Sequence, residues 1–145
     1  MTYDYLESEQ AFEKFVREFE NGTLPRSSWT HAAHLSIGAW YLLSLPEKTV
    51  IDRIRNGIRH YNECVGVANT VDSGYHETLT RFWVGQVSGL LLTSRRLVPR
   101  GTLEAIRDVV VTFAPQRDLF KQYYTFDVVA SREARARWIP PDRIV

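Results

Sequence analysis

The chain has 145 residues, 44% hydrophobic and 24% charged, with 18 Lys+Arg against 17 Asp+Glu for a formal net charge of +1. That length suits one ordinary domain that buries a core without disulfides or metal staples. The near-neutral balance argues against nucleic acid as a partner, the single cysteine excludes an internal disulfide, and no apolar run nears the roughly 20 residues that span a bilayer. The acidic, polar start MTYDYLESEQ is not a signal peptide, and the expected compartment is the cytoplasm.

Apolar spacing predicts helix through most of the chain. Ser8 caps a first helix whose Ala11, Phe12, Phe15, Val16 and Phe19 form one stripe, and Asn21 with Gly22 ends it. After the connection GTLPRSS, a second helix starts near Ser28 or Thr30 and runs through HAAHLSIGAWYLLSL. Pro46 suits the first turn of a third helix with Val50, Ile51, Ile54, Ile58 and Tyr61 inward. Cys64 near its end reads as a small buried residue rather than a nucleophile. The stretch CVGVANTVDSG is a loop.

A fourth helix is predicted from near Tyr75 through HETLTRFWVGQVSGLLLTS, before Pro99 and Gly101 break the chain. Thr102 caps a fifth helix that ends near Ala114 and Pro115. The remainder holds one or two short helices and an irregular tail, since Pro140 and Pro141 prohibit helix. TFDVV has strand-like residues without a partner strand. The expectation is a single all-α domain over residues 1–145, a compact bundle of five to six helices. Gly38, Gly85 and Gly89 fall inside helices, where each costs about 1 kcal/mol relative to Ala. Gly85 and Gly89 share a face, which predicts close approach of the second and fourth helices.

His31 and His34 lie three apart, so on a helix both reach toward one point. Such i, i+3 pairs carry metals in helical bundles, but a site needs a third ligand. The stretch NTVDSGYHET offers His76 as that ligand, with Glu77 as helper or general base. Both motifs fall at helix starts, where the macrodipole keeps histidine neutral and also attracts anions. The same pair of motifs therefore fits two sites, a metal centre or a metal-free pocket for a carboxylate or phosphate. Plain structural readings stand beside these. Thr30 or Ser28 caps a helix, His34 bonds a backbone carbonyl in the core, and Glu77 with Arg81 makes an i, i+4 ion pair worth about 0.3–0.5 kcal/mol.

Trp29 and Tyr75 adjoin the motifs and are candidates to wall a pocket. Glu63 and Asn62 are further candidates near the same loop, Asp127 a weaker one, and His60 reads as structural. The Arg95, Arg96, Arg100 and Arg132, Arg135, Arg137 groups read as solvated faces. There is no Gly-rich phosphate loop, no GxSxG elbow, no HExxH and no cysteine cluster, which leaves kinases, dehydrogenases, zinc ribbons and triad hydrolases without support.

WTHAAHL, followed by IRNGIRHYN, NT and GYHETLTRFW, resembles an uncharacterised family of small bacterial helical proteins. The resemblance covers about residues 29 to 83. It implies a stand-alone cytoplasmic protein and points to His31, His34, His76 and Glu77, with Asn69 and Thr80 beside them. It implies no activity.

Three functions remain open from sequence. The first is a metal-dependent small-molecule enzyme in which His31, His34 and His76 bind Zn²⁺ or Fe²⁺ and Glu77 takes a proton from bound water. The second is a metal-free module that holds a small anionic ligand with help from Arg81 or Arg26, and with Trp29, Asn69, Tyr75 and Thr80 around it. The third is a structural or interaction protein that presents the basic helix SREARARW.

Overall fold

The computed structural model describes residues 3–97 and 101–143, with backbone only for 95–97. Six α-helices follow one another: α1 Glu9–Asn21, α2 His31–Ser44, α3 Glu47–Cys64, α4 Glu77–Leu97, α5 Thr102–Phe113 and α6 Arg132–Ala136. Short 3₁₀ turns fill several connections, and there is no strand among the described residues. Pro99 and Arg100, and the side chains of Arg95 and Arg96, lie outside the described residues.

The helix starts follow from local chemistry. Ser8 Oγ accepts from Ala11 N at 3.1 Å to cap α1, and Thr30 Oγ1 accepts from Ala33 N at 3.2 Å to cap α2. At the far end of α1, Gly22 adopts φ +74° and Thr23 N returns to Glu18 O at 2.8 Å, a turn that favours glycine. A Cβ on Gly22 would also collide with Cys64 Sγ. Two boundaries differ by one residue from the sequence reading. Pro46 precedes α3 rather than opening it, and Gly101 takes the N-cap of α5 that Thr102 was expected to hold.

α2 is the central helix. It buries Ala32, Ala33, Leu35, Ser36, Ile37, Gly38, Ala39 and Tyr41, on more than one face, as expected of a helix enclosed by its neighbours. It packs on α5, α4 and α3, while α1 closes the bundle against α3. The main core joins Phe12, Phe15 and Phe19 of α1 to Leu35 and Ile37 of α2, Val50 and Ile54 of α3, Val87 and Leu91 of α4 and Ile106 and Val109 of α5. A second, smaller core lies where the C-terminal segment crosses α4, with Phe82, Phe120, Tyr124, Val128 and Ala134. TFDVV contributes Val128 to it from irregular backbone.

Two expectations about small residues do not hold. Gly85 and Gly89 are exposed, and a Cβ on either would meet nothing within 4 Å, so they do not bring α2 and α4 together. Cys64 is exposed at the end of α3, 3.6 Å from His60 Nε2, on the outer side of a last turn whose Tyr61 and Asn62 are buried.

Candidate functional site

The start of α2 sets two imidazoles between two indoles. Trp29, just before the Thr30 cap, lies against His34 with ring centroids 3.8 Å apart, and is backed by Phe19 at 4.7 Å and Tyr61 at 5.1 Å. His31 meets Trp83 of α4 edge-on at 4.7 Å, and Trp83 rests on Phe113 at 5.8 Å. Trp29, a candidate pocket wall, lies between the His34 and Phe19 rings, and Trp83 contacts His31 in turn.

Hydrogen bonds fix both tautomers, because a carbonyl oxygen only accepts. His34 Nδ1 donates to Thr30 O at 2.7 Å, which leaves Nε2 as a lone pair on the neutral ring. His31 Nε2 donates to Phe113 O at 3.2 Å, which leaves its Nδ1 as the lone pair. Both rings are held neutral. Burial is the main cause, followed for His34 by His31 and the Arg117 guanidinium, and for His31 by Arg117; the His34 value is pushed down to about 4. Arg117 makes no ion pair among the described residues.

His34 keeps an exposed surface although the protein around it desolvates the ring. One turn further, Gly38 is buried, and a Cβ built on it would meet no atom within 4 Å. Positions i and i+4 share a helix face, so the face of α2 that bears His34 continues into unfilled space.

The start of α4 is built differently. His76 is not in the helix but caps it: its Nδ1 accepts from Leu79 N at 3.2 Å, and its Nε2 donates to Val128 O at 2.8 Å. Both ring nitrogens are therefore engaged, and burial, with Arg135 adding to it, lowers the affinity of the ring for a further proton. Glu77 opens the helix and is clamped by Arg55 of α3 through two bonds of 2.9 and 2.7 Å, with Tyr75 Oη donating at 2.7 Å. Arg55, then Tyr75, hold this carboxyl below its ordinary range. The expected Glu77–Arg81 pair exists at 3.9 Å, but Arg81 also lies over Trp138 at 5.2 Å.

The loop before α4 is organised by Asn69. Its Oδ1 accepts from Tyr75 N and Asn62 Nδ2, each at 3.0 Å, and its Nδ2 donates to Arg59 O at 3.1 Å. Gly74 (φ +78°) packs so closely on Asn69 that any side chain there would clash. Thr80 lies beside the Tyr75 hydroxyl, and Arg59 covers the Tyr75 ring at 5.1 Å. The C-terminal segment locks the same region. Arg135 donates to Gly74 O at 2.8 Å, Arg132 forks onto Asp72 at 2.8 and 3.0 Å, and buried Thr78 bonds Arg137 O at 2.7 Å. The basic SREARARW segment is thus largely committed to its own chain.

Of the predicted site residues, the fold brings His31, His34 and Trp29 together, and separately groups Asn69, Tyr75, Glu77, Thr80 and Arg81. Among the described residues, no group of three or more His, Cys, Asp or Glu side chains is placed to hold a metal ion. His31, His34 and His76 therefore do not make one three-ligand set. Asp127 caps a turn through Ala130 N at 3.2 Å, while Asn62 serves the loop. Sequence reasoning missed Trp83 as a wall, Arg55 and Arg117. Arg55 and Glu77 are 22 positions apart, and no local pattern links them.

Comparison of the chain with protein families, with curated proteins and with solved structures finds no match.

Proposed function

We propose that this protein is a metal-free binding module for a small anionic ligand, held at the exposed start of α2 beside His34. The observation that carries the proposal is His34: exposed, its ring against Trp29, and with no bond to Nε2 among the described residues. Trp29 and Trp83 give the two imidazoles an apolar surround. Arg117, which makes no ion pair among the described residues, and the start of α2 supply positive charge near both rings. An apolar surround with a few polar groups is the make-up of small-molecule sites in general.

The donor geometry favours this reading over a three-histidine Zn²⁺ or Fe²⁺ enzyme. A metal needs imidazole lone pairs, and His76 has committed its own to Leu79 N. Glu77, ion-paired and of lowered proton affinity, is a poor base for a bound water.

Chemical-shift mapping of the ¹⁵N-labelled protein with phenylacetate as probe tests the proposal. Shifts are expected at the Trp29 and Trp83 indoles, at His31 and at His34. They are expected to vanish in Gly38→Leu, whose side chain enters the unfilled space. Shifts confined to other regions would overturn the proposal. So would stoichiometric zinc or iron in untagged protein that is lost on His31→Ala.

A further inference from the structure

We infer that the cleft between the N-terminal 3₁₀ turn Asp4–Leu6 and α5 is a second binding site, for a small zwitterion with an apolar side chain, the class of the apolar α-amino acids. It shares no residue with the start of α2 and stands whether or not that place binds an anion.

Arg107, Val110, Val111 and Ala114 follow one another at i, i+3, i+4 and i+7, the spacing of a single helix face. With Leu6 and Glu7 they line a cleft of about 630 Å³, a volume in the range of small-molecule sites. Both walls are anchored. Leu6 and Val110 belong to the main core, and Tyr5, just before Leu6, stacks on Phe15 with ring centroids 4.1 Å apart. Val111, by contrast, is 76% exposed, so the cleft meets solvent over an apolar edge.

The two charged groups in the cleft specify the ligand. Arg107 gives one edge of its guanidinium, Nε and Nη2, to Leu6 O at 2.8 and 2.5 Å. The other edge, Nη1 and Nη2, makes no ion pair among the described residues, and such an edge takes a carboxylate through two parallel bonds. The bond to Leu6 O holds the guanidinium in place beforehand, which lowers the ordering cost of binding. Glu7 likewise makes no ion pair among the described residues, with Arg107 or with any other group. A plain carboxylate in the cleft would be drawn to Arg107 and repelled by Glu7, and a plain ammonium the reverse. A molecule that carries both charges on one carbon satisfies both, with its side chain on Val110, Val111 and Ala114.

Leucine, isocaproate and isoamylamine are matched probes, since the second lacks leucine's ammonium and the third its carboxylate. In NMR titrations of the labelled full chain at pH 7, leucine is expected to shift the signals of Leu6, Val110, Val111 and Ala114. It is expected to bind about three- to five-fold more tightly than either relative, the worth of one exposed ion pair. Glu7→Gln, at an exposed side chain, is expected to bring leucine down to the level of isocaproate. Arg107→Lys, which keeps the charge and loses the fork, is expected to weaken leucine and isocaproate alike and to leave isoamylamine unchanged. Equal affinity for leucine and isocaproate in the native chain, or no effect of Glu7→Gln, overturns the zwitterion assignment. Leucine shifts that are absent, or confined to Trp29, His31 and His34, overturn the cleft as a site. So do concentration-dependent shifts of the cleft residues without any probe, which would make a second copy of the chain its occupant. Failure of phenylacetate at the start of α2 changes none of these outcomes, so the two proposals fall separately.

Discussion

His34 Nδ1 donates to the carbonyl oxygen of Thr30 across 2.7 Å, and this bond decides which lone pair the ring displays. Thr30 therefore has two tasks. Its hydroxyl caps α2 through Ala33 N, while its carbonyl orients the imidazole one turn above. The cap and the candidate binding group are parts of one local structure, in which WTHAAH supplies the wall, the cap and the acceptor in sequence.

Acid should destabilise the fold. His31, His34 and His76 all have folded pKa values below the ordinary 6.5, His34 near 4. Between those values the unfolded chain binds more protons than the folded one, so stability rises with pH through that window and is lost as pH falls from about 6.5 toward 4. Glu77 acts in the same direction lower down: its contribution is present above the ordinary carboxylate range and disappears as pH drops through its lowered folded value. Thermal unfolding followed at pH 7.5 and pH 5 should give the lower midpoint at pH 5. A midpoint that is flat or rises on acidification would contradict this.

Gly38→Ala should stabilise the protein. The added methyl meets no atom within 4 Å, and alanine in a helix interior gains about 0.5–1 kcal/mol over glycine. Urea unfolding should show an increase of that size with an unchanged slope. A loss of stability would mean that the space beside Gly38 is already filled.

His76→Ala should cost about 2–3 kcal/mol, because it removes the cap on Leu79 N and strands the Val128 carbonyl. His76→Asn should recover about half, since asparagine can still cap α4. Equal stability of the two variants in denaturant titrations would show that the capping bond contributes nothing.

Arg55→Ala leaves Glu77 largely buried with only Tyr75 and the distant Arg81. A cost of about 2–3 kcal/mol is expected, toward the low end for a broken buried pair because Arg55 is itself partly solvated. Adding Glu77→Gln to Arg55→Ala should restore part of it. Additive losses in the double variant would argue against coupling between the two side chains.

Much of the fold is legible in the sequence because each helix carries its own apolar stripe and its own stop. Ser8, Thr30 and Gly22 do in the structure what their residue types suggest. The start of α4 was harder to place, because its cap is an imidazole, outside the usual Ser, Thr, Asp and Asn set. The predicted helix accordingly begins at Tyr75 and the observed one at Glu77. At the site, i, i+3 spacing puts His31 close enough to act on His34, but each ring bonds its own partner, Phe113 O and Thr30 O. Whether His76 joins them depends on how α2 and α4 pack, and on Val128, 52 residues further along. The partners that define the two centres, Arg55, Trp83 and Arg117, arrive from distant elements and leave no local trace.

The most direct test of the account is a long-range ¹H–¹⁵N spectrum of the histidine rings at pH 7. It should show His34 neutral, with a pyrrole-type Nδ1 and a pyridine-type Nε2. A protonated ring, or a pyrrole-type Nε2, would contradict the account, because His34 would then offer a donor where the bond to Thr30 O leaves an acceptor.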